Sequence, residues 1–301
     1  MEKKKKKSVS FMKNVLMLMV AQVAIKILGF VYRLIIINIE GFGDIGNGYY
    51  STGYQIYSLL LTLSSVGIPT VISKLVSERV AIGDHRGAHR IFKTALKTFT
   101  CIGIVMSLGL FFGADVIAKN VINVEGVKYT LMVLAPAIMF VAAGAVLRGY
   151  FAGLGTMKPT SVTQTLEQFL NCLLTITFVY ATVGQDTAIM AAAGNLSSTV
   201  AIIVAFIYIV IFYRKQRNEI LEDCKNQTLE TEHKTTKQIL KIIFAISIPM
   251  TIGSLVAELN GTIDTITVSN CIQKAFFVEL RRSKRTIRSK SNGTFRNDFK
   301  S

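Results

Sequence analysis

The chain has 301 residues, 51% of them hydrophobic, and a formal net charge of +16. Its mean hydropathy is +0.46, and the apolar residues are gathered into runs too long for the helices or strands of a globular domain, which excludes an ordinary soluble protein. The positive charge falls in the gaps between those runs rather than in one patch, which argues against nucleic acid as a partner.

Seven apolar stretches, near residues 11–37, 49–76, 95–120, 129–151, 160–182, 187–213 and 239–269, are each long enough to cross a bilayer core, which takes ~20 helical residues. The expected fold is all-α, a polytopic transmembrane helix bundle of about seven spans. Basic residues cluster on alternate sides: Lys3 to Lys7 at the start, Arg79, Arg86, Arg90 and Lys93 after the second span, Arg148 and Lys158 after the fourth, and Arg214, Lys215 and Arg217 after the sixth. The intervening gaps hold only Lys119 and Lys128 beside several acids. That alternation predicts a cytoplasmic N-terminus. The first apolar run is too long for a signal peptide and no small-residue cleavage site follows it, so it reads as an uncleaved helix.

In the first span Gln22, Lys26, Gly29 and Arg33 recur at helical spacing and share one face. A cation near mid-bilayer costs ~2.5–3.5 kcal/mol on insertion scales. Two readings satisfy that cost: a hydrated cavity presenting cations to an anionic ligand, or a buried pairing with carboxylates of other spans. Both turn this face toward the protein interior. The following segment, residues 40–50, contains G-x-G-x-x-G at Gly41, Gly43 and Gly46, but a dinucleotide site needs a preceding strand, and a flexible turn between spans is expected.

In the second span Pro69 removes a backbone donor and predicts a kink, as does Pro249 in the seventh. Pro136 falls inside the fourth span, and Pro159 suits the first turn of the fifth. The fifth span carries Gln164, Glu167, Gln168 and Asn171; the seventh carries Glu258, Asn260, Thr262, Asp264 and Thr265. Intramembrane carboxylates face a bundle interior or a water path. Here they can neutralise Lys26 and Arg33, hold a coupling ion, or bond a sugar hydroxyl, and the sequence leaves these open. Residues 214–238 form a polar linker of mixed charge, either a solvated connector or a stretch lying on the inner leaflet.

The scattered Cys101, Cys172, Cys224 and Cys271 show no metal-binding or disulfide spacing. His85 and His89 are four residues apart but lack a third ligand, so they read as a solvated basic helix end. No metal, cofactor or catalytic residue is indicated. Residues 274–301 carry nine Lys or Arg on what the topology makes the outer side, against the charge rule. The expectation is a tail foreign to the fold, from a reading-frame change near 272–278 or a wrong gene model, with a genuine basic tail as the alternative.

Several strings together resemble a known family: KILGFVYR at 26–33, GDIGNGYY at 43–50, SSVGIPTVISKLVSE at 64–78, LRGYFAGLGTMKPTSVTQTLEQ at 147–168 and IDTITV at 263–268. They resemble the polysaccharide-biosynthesis flippases of the multidrug/oligosaccharidyl-lipid/polysaccharide exporter superfamily, in particular the stage V sporulation protein B-like group, relatives of the lipid II flippases. The resemblance covers about residues 8–272. It implies a transporter of two pseudo-symmetric helical lobes around a central cavity in the bacterial cytoplasmic membrane. Its cargo would be an undecaprenyl-diphosphate-linked sugar for cell wall, polysaccharide or spore envelope, moved by alternating access.

By that resemblance, 1–10 is a basic cytoplasmic start, 11–213 a six-helix N-terminal lobe, 214–238 a linker, 239–272 the first helix of a second lobe and 273–301 a tail outside the family. The chain would then be the N-terminal portion of a longer transporter. The implied role of Lys26, and of Arg33, is to meet the diphosphate. The expected cavity set is Gln22, Lys26, Arg33, Glu167, Gln168, Asn171, Glu258 and Asp264. Partners are a lipid-linked sugar diphosphate, membrane lipid and a coupling ion, with no nucleic acid. Alternatives are a multidrug or cation antiporter of the same superfamily, using Glu167, Glu258 or Asp264 for coupling, and a non-functional fragment. A membrane glycosyltransferase fits poorly, because no D-x-D string or large loop is present, and the chain reads as a transporter rather than an enzyme.

Overall fold

The structure is a computed structural model. It describes residues 26–65, 67–227, 235–256 and 258–261, with single positions 23, 263 and 267. The described residues are helical and contain no strand. Helix α1 covers 26–37. It is followed by α2 (Gly43–Ser65), α3 (Ile68–Ala81), α4 (His85–Val116) with a π-helical extension Ile117–Ile122, α5 (Val127–Gly153), α6 (Lys158–Ala181) and α7 (Thr187–Lys225). The last described helix, α8, spans Thr236–Gly261.

Each boundary has a local cause. Gly41 and Gly43 turn the chain with positive φ, and Asp44 then places a negative charge in the first turn of α2, where it favours the positive end of the helix dipole. The expected turn at 40–50 is therefore shorter than predicted: from Gly43 onward the segment is helix. The second span also departs from expectation. Rather than one helix kinked at Pro69, the chain breaks at Gly67, whose φ of 84° lies in the left-handed region. Pro69 falls in the first turn of α3, where its missing N–H removes no helical bond. Pro159 opens α6 in the same way, as its position in the sequence predicts. Asp84 caps α4 by accepting the Gly87 N–H at 2.8 Å, and Asp186 caps α7 by accepting that of Ala188 at 3.1 Å. The π stretch closes on Asn123 in the left-handed region, beside an ion-pair cluster in which Asp115 meets Lys119 at 3.0 Å and Lys128 at 2.8 Å.

Helix α5 is the axis of the bundle. It packs on α2, α3, α4 and α7 and is buried on most sides, from Leu131 and Leu134 through Ala142 and Val146 to Tyr150 and Phe151, with Tyr129 and Pro136 left exposed. Such broad apolar burial suits a helix at the centre of a bundle. Two of its glycines explain the RGYFAG string at 148–153. A Cβ at Gly149 would stand 2.7 Å from the Pro69 carbonyl oxygen, and one at Gly153 would stand 2.6 Å from Val76 Cβ. The pair spaced by four brings α5 onto α3 at backbone range, as small residues do between membrane helices.

Among the described residues, five stretches are long and apolar enough to cross a membrane: Gly43–Ala81, His85–Ile122, Val127–Gly153, Thr187–Lys225 and Thr236–Gly261. α6, at 24 residues, also has the length, but polar side chains interrupt its apolar surface. Outward faces carry Val105, Phe112, Phe30 and Tyr180, all more than 60% exposed, an apolar exterior suited to lipid rather than water. The chain is a multi-pass membrane protein.

α7 does not end at 213. It continues as helix to Lys225, so the first part of the 214–238 linker belongs to it, and Ile220 is buried with Ile91, Phe92 and Tyr150. His89 is likewise buried rather than solvated; its Nδ1 lies 3.4 Å from the Tyr150 hydroxyl. The end of α7 is tied down by Arg86, whose guanidinium donates to the carbonyls of Cys224 at 2.7 Å and Lys225 at 3.4 Å. Gln227 accepts the Arg86 N–H at 2.9 Å and donates to Asp84 at 3.3 Å. Asp84, in turn, pairs with Arg79 at 3.1 Å.

Candidate functional site: a polar cavity between α1, α2 and α6

The described part of α1 lies against α2 and α6. Tyr32 on α1 has its hydroxyl 3.4 Å from that of Tyr50 on α2. Gly29 leaves room for Gln168 of α6, whose amide nitrogen would lie 3.9 Å from a Cβ built there. Between the three helices opens a cavity of about 350 Å³, lined by Gly29, Phe30, Tyr32, Arg33, Tyr50, Tyr54, Gln168 and Asn171.

The cavity gathers three of the predicted residues: Arg33, Gln168 and Asn171. Lys26 is exposed and lies on the face of α1 that carries Gly29 and Arg33, ~10 Å along the helix from Arg33 at 1.5 Å per residue. Gln22 and Asp264 lie outside the described residues. Pro249 is an exposed position of α8, away from the cavity lining.

Two predicted carboxylates stand beside the cavity rather than in its lining. Glu167 of α6 is half-buried next to the lining residue Gln168, near enough to act by charge on both Arg148 of α5 and Tyr54 of α2. Arg148 belongs to α5 rather than to a loop, and its guanidinium folds back over Gly144, passing 3.5 Å from where a Cβ would be. Glu258 on α8 accepts hydrogen bonds from Ser58 Oγ at 3.1 Å and Gln55 Nε2 at 3.4 Å, both on α2.

Asn171 is held from behind. Its side-chain oxygen lies 2.8 Å from the Ser197 hydroxyl, 3.0 Å from that of Thr175 and 3.2 Å from that of Ser198. Each hydroxyl has one proton, and those of Ser197 and Thr175 also reach the Gly194 and Asn171 carbonyls, both at 2.6 Å, so the three share the oxygen rather than all donating to it at once. Within lipid, such interhelical hydrogen bonds are each worth ~0.6 kcal/mol, up to ~1.7, so the network both orients Asn171 and joins α6 to α7.

Sequence reasoning overlooked the tyrosines as cavity residues and placed Arg148 in the loop after the fourth span, whereas it lies in α5. Tyr50 and Tyr54 are one turn apart on α2, a repeat of hydroxyl-bearing rings inside an apolar span where phenylalanine would serve packing alone. That repeat is the signal by which they could have been found.

The family profile described as "Polysaccharide biosynthesis protein" matches residues 11–275. The chain is 28% identical over 270 residues to stage V sporulation protein B of Bacillus subtilis (strain 168), covering 87% of this chain and 50% of that protein. It is 27% identical over 263 residues to the lipid II flippase MurJ of the same organism, covering 83% and 47%. The chain thus spans about half the length of these relatives. Among solved structures, a transporter of the MOP superfamily from Pyrococcus furiosus superposes with a TM-score of 0.65 at 14% identity, covering 88% of this chain and 60% of that one. A multidrug resistance MATE family transporter of the same superfamily, in an outward-facing conformation, also gives 0.65, at 16% identity and the same coverage. The fold is that of these transporters, and with its family profile matched across residues 11–275 the chain belongs to the polysaccharide biosynthesis protein family.

Proposed function

We propose that the chain forms the first-lobe wall of a flippase for an undecaprenyl-diphosphate-linked sugar, with Lys26 and Arg33 meeting the diphosphate. The observation that carries this reading is the separation of charge. Arg33 borders the cavity and Lys26 shares its face of α1, whereas Glu167 and Glu258 stand outside its lining and Glu258 is bonded to α2. The cations of α1 are therefore offered to a ligand rather than consumed by these two acids. A diphosphate is a poor guest in hydrocarbon. Fixed cations in a wet groove lower its barrier to crossing, and a guanidinium can bond two phosphate oxygens at once.

The relatives support the cargo. One is named a lipid II flippase and another a stage V sporulation protein, and both are matched over most of this chain. Since the chain spans about half of each, full transport is proposed for an assembly with both walls, and binding of the headgroup for this chain. The reading involves no catalytic step. A multidrug antiporter, suggested by the MATE-type fold, is disfavoured because a cationic drug would meet Arg33 in the cavity.

The test is equilibrium binding of radiolabelled undecaprenyl diphosphate to the chain in lipid nanodiscs. Lys26→Ala and Arg33→Ala should each weaken binding by about tenfold or more, and Lys26→Arg should retain most of it. Unchanged affinity in the double Ala variant would remove these cations from the function.

A further inference from the structure

Apart from Arg33, the polar groups lining the cavity are neutral: three tyrosine hydroxyls and the amides of Gln168 and Asn171. A diphosphate needs cations and N–H donors. Rings and amides are surplus to it. Hydroxyls and amides both donate and accept, which matches the hydroxyl and acetamido groups of a sugar. Tyrosine adds a flat apolar face beside its polar tip, the counterpart of a sugar ring's C–H face.

Placement agrees with that chemistry. Tyr32 and Tyr50 are linked hydroxyl to hydroxyl at 3.4 Å. Tyr50 is 2% exposed and forms a fixed wall, whereas Tyr54, one turn along α2, is 40% exposed. Asn171 is held by the three hydroxyls gathered round its side-chain oxygen, and Gly29 keeps the approach to Gln168 open. At about 350 Å³ the space is near the lower end of small-molecule pockets, ~300–1,000 Å³, so it suits a single sugar ring rather than a whole oligosaccharide. Arg33 is part of the lining, so a phosphate held by it would bring a directly attached sugar to the tyrosines and amides beside it.

We infer that Tyr32, Tyr50, Tyr54, Gln168 and Asn171 form a subsite for the first sugar of the lipid-linked substrate, and that Tyr54 and Gln168 set the preference for a sugar-bearing over a bare lipid diphosphate. This rests on the diphosphate reading above. Tyr54 supplies the ring face and Gln168 the hydrogen bonds, while α1 supplies the charge.

The experiment compares two labelled ligands on the chain in nanodiscs: undecaprenyl diphosphate carrying one N-acetylglucosamine, and bare undecaprenyl diphosphate. The wild-type chain should prefer the first. Tyr54→Ala and Gln168→Ala should each weaken the sugar-bearing ligand about tenfold more than the bare one, with thermal unfolding in nanodiscs as the check on an intact fold. Tyr54→Phe should retain most of the preference, since the ring remains. Equal loss for both ligands in Tyr54→Ala and Gln168→Ala, or no loss for either, would overturn the subsite. If instead Lys26→Ala and Arg33→Ala leave both ligands unaffected while Tyr54→Ala abolishes the sugar preference, the diphosphate assignment fails and the sugar subsite stands.

Discussion

Ser58 of α2 and Glu258 of α8, two hundred residues apart in sequence, meet at 3.1 Å, Oγ to carboxylate oxygen. Gln55 reinforces the contact by donating to the same oxygen at 3.4 Å and lies against Gly261, 2.9 Å from a Cβ built there. A carboxylate within a membrane-length helix is therefore answered by two polar side chains of α2, and this joint ties α8 to α2.

Cutting that joint should loosen α8 selectively. A double-mutant cycle of Ser58→Ala and Glu258→Ala, read by unfolding in detergent mixtures, should give a coupling energy of about 1 kcal/mol, within the range for hydrogen bonds to charged groups and between membrane helices. Amide exchange along α8 should rise in both single variants, with α5 unchanged. A coupling energy of zero would mean that the hydrogen bond adds no stability.

The α3–α5 contact offers a sharper steric test. Gly149→Ala would drive a methyl group to 2.7 Å from the Pro69 carbonyl oxygen and 2.9 Å from Pro69 Cα. These are backbone atoms, which cannot swing aside as a side chain can. Overpacking of this kind costs ~1–3 kcal/mol. Gly109→Ala, where nothing lies within 4 Å of the added atom, should be close to neutral and serves as the control. Thermal denaturation of both variants in nanodiscs checks the difference.

Removing Asn171 should cost both stability and ligand binding. In Asn171→Ala, Ser197, which is fully buried, and Ser198, nearly so, lose their shared acceptor. Serine 197 keeps its bond to the Gly194 carbonyl at 2.6 Å, so the loss should be about 1–2 kcal/mol rather than the full cost of stranded hydroxyls. Asn171→Asp keeps the acceptor oxygens but replaces the N–H₂ with charge. It should preserve more of the melting temperature than the alanine variant while binding an anionic lipid less well.

Chain order, helical class and membrane character were legible in the residues. Runs of apolar side chains leave few alternatives, because only a helix satisfies its own backbone within lipid. The shared face of Lys26, Gly29 and Arg33 followed from helical spacing alone. The polar positions of α6 were equally visible, because polar groups stand out against an apolar background.

Partners were not legible. Glu167 could have met Lys26 as readily as it came to lie outside the cavity lining, since placement depends on which helices adjoin, and no local pattern records that. The break at Gly67 was hidden behind the louder signal of Pro69 two residues later, although left-handed φ there suits glycine in particular. The glycines of the RGYFAG string looked like a signature without a role until α3 was seen lying against them. The sequence by itself determined that this chain is a membrane-embedded helical bundle bearing cations on its first helix. Only the tertiary structure decided which side chains surround the cavity with them, because that depends on close packing between helices far apart in the chain.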